Sequence, residues 1–182
     1  MIPAGYMAKR VAAKPRWLNS PDIVDIYSVS TCISKNFADY IPFFRHNGYW
    51  LFDTTQKIQE LAGEQSLDLS ETQFFYYEVH PQQFDEDRHT WESFVPEASF
   101  VTEVKPPATK KLEGFDVVTF SAGTSTECSP LTCNGLADSI CTTQHGLLPS
   151  LDEARRLLEA GFFDRSEPGP FRIFAIYTFD QV

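Results

Sequence analysis

Nine consecutive residues, Phe171 to Phe179, read Phe-Arg-Ile-Phe-Ala-Ile-Tyr-Thr-Phe and are apolar on both alternating faces. Successive side chains of a strand point to opposite sides of a sheet, so a run that is apolar on both must be covered on both. The run therefore predicts a central strand with material packed above and below it. The turn Glu167-Pro168-Gly169-Pro170 leads into it.

Helix signals stand beside it. Ser150 as N-cap with Glu153 three residues on is a capping-box pattern. Leu151, Ala154, Leu157 and Leu158 form one apolar stripe, Asp152–Arg156 and Arg155–Glu159 are i,i+4 pairs on the wet side, and Gly161 ends the helix. Asp53 as N-cap with Gln56 predicts a second helix through Ile58, Leu61 and Ala62, stopped by Gly63. A short helix is expected from Ser34 through Phe37, Ala38 and Ile41, ended by Pro42.

Strands are expected around Val24, Ile26 and Val29, and over 49–52, 73–79, 99–104 and 115–120. The aromatic content of Gln73–Val79 makes it a strong candidate. Residues 81–95 read as an exposed loop around Trp91. Helices interrupt the strands irregularly. That order predicts an α+β fold: a single domain with a mixed, mainly antiparallel sheet of about six strands and two to four helices packed on it.

The 182 residues, 42% of them hydrophobic, are enough for one core. No apolar run approaches the ~20 residues of a membrane span. The net charge is −10 and it is uneven. Residues 1–20 carry Lys9, Arg10, Lys14 and Arg16 with no acid. They are expected to be a loose basic arm that Trp17 pins to a domain spanning 21–182. The acidic remainder repels phosphate backbones, which argues against nucleic acid and suits a basic protein partner. Without a secretory apolar stretch, the four cysteines are expected as free thiols in a cytoplasmic protein.

Residues 121–149 differ from everything else. They hold Cys128, Cys133, Cys141 and His145 in a stretch rich in small polar residues. Residues 121–145 are expected to form a surface loop with one or two short helical turns, at the end of the 115–120 strand.

Three chemistries fit. Cys128-x4-Cys133-x7-Cys141-x3-His145 supplies four zinc-type ligands, but without the tight C-x2-C knuckle of ribbons and fingers, so thiols packed in a corner are the preferred reading and no metal or cofactor is expected. Cys128 before Ser129-Pro130, or Cys133 before Asn134, would stand at a helix start and serve as a nucleophile. His145 would be its base, with His80 and His89 as other candidates and Asp116 or Asp138 orienting the imidazole. The hydroxyls at 121, 124, 125, 126, 129 and 132, with Asn134, Gly123 and Gly135, would form an anion-holding loop. Cys141, with Leu136 and Ile140, falls on an apolar side, and Cys32 sits at a strand end; both are expected in the core. No P-loop, G-x-G-x-x-G or H-E-x-x-H is present.

The leading expectation is a non-catalytic, acidic binding or protein-interaction module. The alternative is a small cysteine-dependent hydrolase or transferase using Cys128 or Cys133 with His145, its substrate bound beside Ser129 and Asn134.

Overall fold

A computed structural model describes residues 1–35, 37, 47–94, 103–119 and 128–180. In chain order the strands are β1 (Ile2–Lys9), β2 (Ala12–Ala13), β3 (Asp25–Ile26), β4 (Gln73–Val79), β5 (Gln82–Asp85), β6 (Thr90–Ser93), β7 (Lys111–Thr119) and β8 (Phe171–Thr178). The helices are α1 (Thr55–Glu64), α2 (Pro130–Cys133) and α3 (Leu151–Glu159), with a 3-10 turn at Leu136–Ser139. No helix among the described residues is long and apolar enough to cross a membrane.

The run that is apolar on both faces lies at the centre of a six-stranded antiparallel sheet. β8 pairs with β7 on one edge, and with β4 and then β5 on the other. Because His80 N–H still reaches the Ile173 carbonyl at 2.9 Å, β4 and β5 act as one long strand interrupted at Pro81. β1 continues the sheet outward from β4, and β6 continues it from β5. Phe174 and Ile176 of β8 pack in the cluster that holds Ile58 and Ala62 of α1. Phe171, Ile173 and Ala175 pack in the cluster that holds Ala154, Leu157 and Leu158 of α3. The alternation of β8 is thus divided between two cores, and the α+β single domain follows from it.

Two of the three edge strands, β1 and β7, are each crossed by a further segment. Tyr6 of β1 bridges Phe52, and Phe115 of β7 bridges Leu148. Each crossing needs a glycine beside it. A Cβ on Gly5 would lie 2.6 Å from the Phe52 carbonyl oxygen, and one on Gly114 would lie 2.6 Å from Leu147 Cβ. Both glycines sit at ladder irregularities, and the bridges cover edges that would otherwise offer unpaired backbone groups.

Several expectations need correction. Residues 1–9 are not a loose arm: Ile2–Lys9 is β1, and Ala4 to Lys9 are buried. Lys9 is buried with its ammonium on two backbone carbonyls, and Gly5 sits at an irregularity of the β1–β4 ladder, so neither keeps the segment out of the sheet. Trp17, expected to dock, is 58% exposed, and its neighbour Leu18 is buried instead. Residues 82–93 are not a loop but the hairpin β5–β6.

Helix α1 is capped by Thr54, whose Oγ1 accepts the Lys57 N–H at 3.2 Å. Asp53 instead accepts the Glu103 N–H at 2.7 Å. The helix runs through Gly63 and ends at Gln65. Helix α3 keeps its Ser150 cap and its Gly161 stop, with φ +69°. Arg156 bonds Glu153 rather than Asp152. The strand expected over 99–104, the helix expected beyond Ser34 and the hydroxyls at 121–126 fall largely outside the described residues.

Candidate functional site

The site begins with a buried acid. Asp116 lies in the middle of β7, opposite Phe174, and is fully buried. A carboxylate there must be saturated with donors or be protonated. Its Oδ1 accepts the Ser129 hydroxyl at 2.5 Å; its Oδ2 accepts the Ser28 hydroxyl at 2.7 Å and the Val29 N–H at 3.1 Å. Burial pushes the acid up to about 6, while those three bonds and the charge of Lys9 pull the other way.

Lys9, from β1, grips the same loop from its carbonyl side. Its ammonium donates to the Ser28 carbonyl and, at 2.7 Å, to the Ser30 carbonyl. Residues 28–30 are therefore held by a buried acid through donors and by a buried base through acceptors. Cys32 follows two residues on.

The Ser129 bond does the same for the other segment. Ser129 stands at the N-cap of α2 with Pro130 at the first helical position, as the sequence suggests, but its side chain makes no cap bond because Asp116 holds it. Cys128, just before it, is fixed by its carbonyl, which accepts the Thr119 N–H at 2.9 Å. Cys133 closes the single turn of α2, its N–H bonded to the Ser129 carbonyl at 2.8 Å. Gly135, at φ +71°, then redirects the chain into the 3-10 turn.

The outcome is a cluster of three thiols. The sulfurs of Cys32, Cys128 and Cys133 lie within 4.8 Å of one another. Cys32 is exposed, Cys133 half-buried and Cys128 buried. The Cys128 sulfur also lies 3.6 Å from Asn134 Oδ1. Thiol hydrogen bonds from Cys128 and Cys133 hold Cys32 below its ordinary range. The neighbouring thiols of Cys133 and Cys32, together with burial, push Cys128 up. Cys133 is also raised: the Cys128 bond acts to lower it, but its own donation to Cys32 and its burial outweigh that.

Of the residues singled out from sequence, Cys128, Cys133 and Asn134 come together, and Ser129 supports them from behind. His145 lies elsewhere. Its Nδ1 is 2.5 Å from Asp25 Oδ1, its Nε2 is 3.6 Å from Glu113 Oε2, and its ring stacks on Tyr27 at 3.8 Å. It fastens the 143–147 turn to β3. His80 bonds the Gln82 carbonyl at 3.0 Å, and His89 is exposed. Asp138 accepts the Asn19 and Ser20 N–H groups, each at 2.7 Å.

Two cysteines expected in the core are not there. Cys141 is exposed, and Cys32 is the accessible member of the cluster. Cys32 and Lys9 were missed as site residues because they reach the site only through tertiary packing. The one local signal was the hydroxyl-rich Ser28-Val29-Ser30-Thr31 before Cys32.

No family model, curated protein or solved structure matches the chain. The site is read from its own geometry.

Proposed function

We propose that this protein is a non-catalytic binding module whose thiol cluster holds a soft, d10 metal ion, zinc foremost. The observation that carries this reading is the spacing of the three sulfurs, all within 4.8 Å of one another. Thiolates around one tetrahedral zinc stand about 3.8 Å apart, given Zn–S bonds of about 2.3 Å. Small adjustments would bring the cluster to that distance. Among the described residues no other group of three or more histidine, cysteine or carboxylate ligands gathers in this way.

The support is chemical as well as geometric. Thiolates suit soft ions, and a cation would relieve the crowding that raises Cys128 and Cys133. The clamp of Asp116 and Lys9 holds the ligand-bearing segments in place, as hydrogen-bonding groups behind the ligands do at metal sites. Three thiolates leave the fourth zinc position to water or to a ligand brought by a partner. The four-ligand set read from sequence is replaced here by one in which Cys32 takes the place of Cys141 and His145.

The cysteine-enzyme reading has less support. A nucleophile at Cys128 or Cys133 needs a base, and the ring nitrogens of His145 face Asp25 and Glu113.

The test is titration of the reduced protein with Zn²⁺, and with Co²⁺ as a spectroscopic stand-in. One equivalent should bind with sulfur-to-cobalt charge-transfer absorption. Cys32→Ser, Cys128→Ser and Cys133→Ser should each weaken binding tenfold or more, while Cys141→Ser leaves it unchanged. Binding that survives all three of the first substitutions would overturn the assignment.

A further inference from the structure

We propose that Tyr76, Glu78 and Tyr177 form a binding site for a tertiary ammonium head group, one that carries a single N–H and is otherwise alkylated, and that Lys110 occupies the site in its absence. The site is remote from the thiols and does not depend on the metal reading. Lys111 begins β7 beside it, whereas Thr119, bonded to the Cys128 carbonyl, ends that strand.

Strand register builds the walls. Tyr76 of β4 stands opposite Tyr177 of β8, and Glu78 follows two residues on, on the same face. The two ring centroids are 5.8 Å apart. The Tyr177 hydroxyl donates to Glu78 Oε2 at 2.9 Å, and the Tyr76 hydroxyl to Glu78 Oε1 at 3.3 Å. Both rings are thus joined to one carboxylate by bonds that do not involve Lys110. Tyr6 packs against Tyr76 at 5.1 Å, and Phe179 against Tyr6 at 5.5 Å. A receptor held in this way binds without a large ordering cost.

Its chemistry selects a cation. Aromatic faces attract positive charge, and the Glu78 side chain, 13% exposed, adds a full negative charge beside them. The Lys110 ammonium lies 4.2 Å from the Tyr177 ring centroid and 5.1 Å from that of Tyr76, and it pairs with Glu78. Among the described residues Glu78 is its one hydrogen-bond acceptor, so its other two N–H groups are left to ring faces and water. A primary ammonium is a strongly hydrated triple donor, and the site answers one of the three. A tertiary ammonium matches it better: its single N–H meets Glu78 and its alkyl groups meet the rings.

Lys110 can give way because of where it stands. It ends the irregular connection 103–110, just outside β7. Its side chain is 30% exposed. A cleft of about 370 Å³ between Thr109, Thr178, Phe179 and Asp180 reaches it. Lys111, the other cation on that cleft, is paired with Glu113 at 3.1 Å. A resident lysine is an intramolecular competitor, so removing it raises the affinity for a free cation.

The experiment titrates the full chain near neutral pH with methylammonium (three N–H), trimethylammonium (one) and tetramethylammonium (none). Nuclear magnetic resonance follows the Tyr76 and Tyr177 ring signals, and circular dichroism follows the fold. Trimethylammonium should bind saturably and about tenfold more tightly than either of the others. Lys110→Met and Lys110→Gln should each raise its affinity about tenfold or more. Glu78→Gln added to Lys110→Met should remove that gain. The amide of N-acetyl-dimethyllysine separates the sources: tighter binding than trimethylammonium assigns the head group to a modified lysine side chain, and equal binding assigns it to a free amine. Absence of saturable shifts in the folded Lys110 variants, or equal binding of tetramethylammonium or methylammonium, would overturn the proposal. So would loss of the fold in both Lys110→Met and Lys110→Gln, which would make Lys110 a structural clip.

Discussion

The carboxylate of Asp116 accepts the Ser129 hydroxyl at 2.5 Å, and this bond ties the start of α2 to the middle of the sheet. The other oxygen of the same carboxylate holds Ser28 and Val29. A single residue of β7 thus sets the relative position of the two chain segments that carry the thiols.

Removing that carboxylate should be costly, and the cost should depend on what replaces it. Asp116→Ala leaves buried donors from Ser28, Val29 and Ser129 without an acceptor, and a loss of about 3 kcal/mol or more is expected. Asp116→Asn keeps an acceptor for Ser28 and Val29 and can donate to Ser129, so it should lose less. Urea unfolding of the two variants checks the order. Equal losses would mean that the side chain only fills space.

The same group sets a pH dependence. Asp116 is raised from 3.8 to about 6 in the folded protein, so the native state keeps a proton that the unfolded chain has already released. Its contribution to stability is full below about 3.8 and is lost as pH rises through about 6. The stability of the wild type relative to Asp116→Asn should therefore fall between pH 4 and pH 6 and level off above pH 7. A difference that rises with pH would mean the acid is ionised throughout. Lys9 is the charged neighbour that acts on it, and Asp116 in turn helps to raise the buried Tyr77 hydroxyl.

Deleting residues 1–9 should abolish cooperative folding rather than trim a tail. The deletion exposes the outer edge of β4 and removes Tyr6 and Met7 from the core, each burial contributing about 1.5–3 kcal/mol. The finer change Gly5→Val should cost more than about 2 kcal/mol, because φ is +137° and the new Cβ meets the Phe52 carbonyl. Thermal unfolding by circular dichroism decides both. A truncated chain that melts within a few degrees of the full one would contradict the place of β1 in the sheet.

Ile173→Asp and Ile176→Asp test the two cores separately. Ile173 faces the cluster with α3 and Ile176 the cluster with α1, and each is fully buried. Either carboxylate would be desolvated without a partner, so both variants should fail to fold. If one folds cooperatively in size-exclusion and unfolding measurements, that face of β8 is less enclosed than its packing indicates.

What the chain itself determined is what depends on neighbours in sequence. The two apolar faces of Phe171–Thr178, the aromatic run of Gln73–Val79 and the Ser150 cap with its apolar stripe are local patterns, and each became the element it specifies. Tertiary structure decided the rest. Whether Lys9 lies in solvent or under two carbonyls, and whether Asp116 orients a histidine or clamps two serines, depends on which strand pairs with which. Cys32 meets Cys128 and Cys133 only because the sheet brings Ser28 and Ser129 to the two oxygens of one buried acid. Local periodicity carries no information about residues so far apart, since contact between them is set by chain topology and by the need to satisfy buried charge.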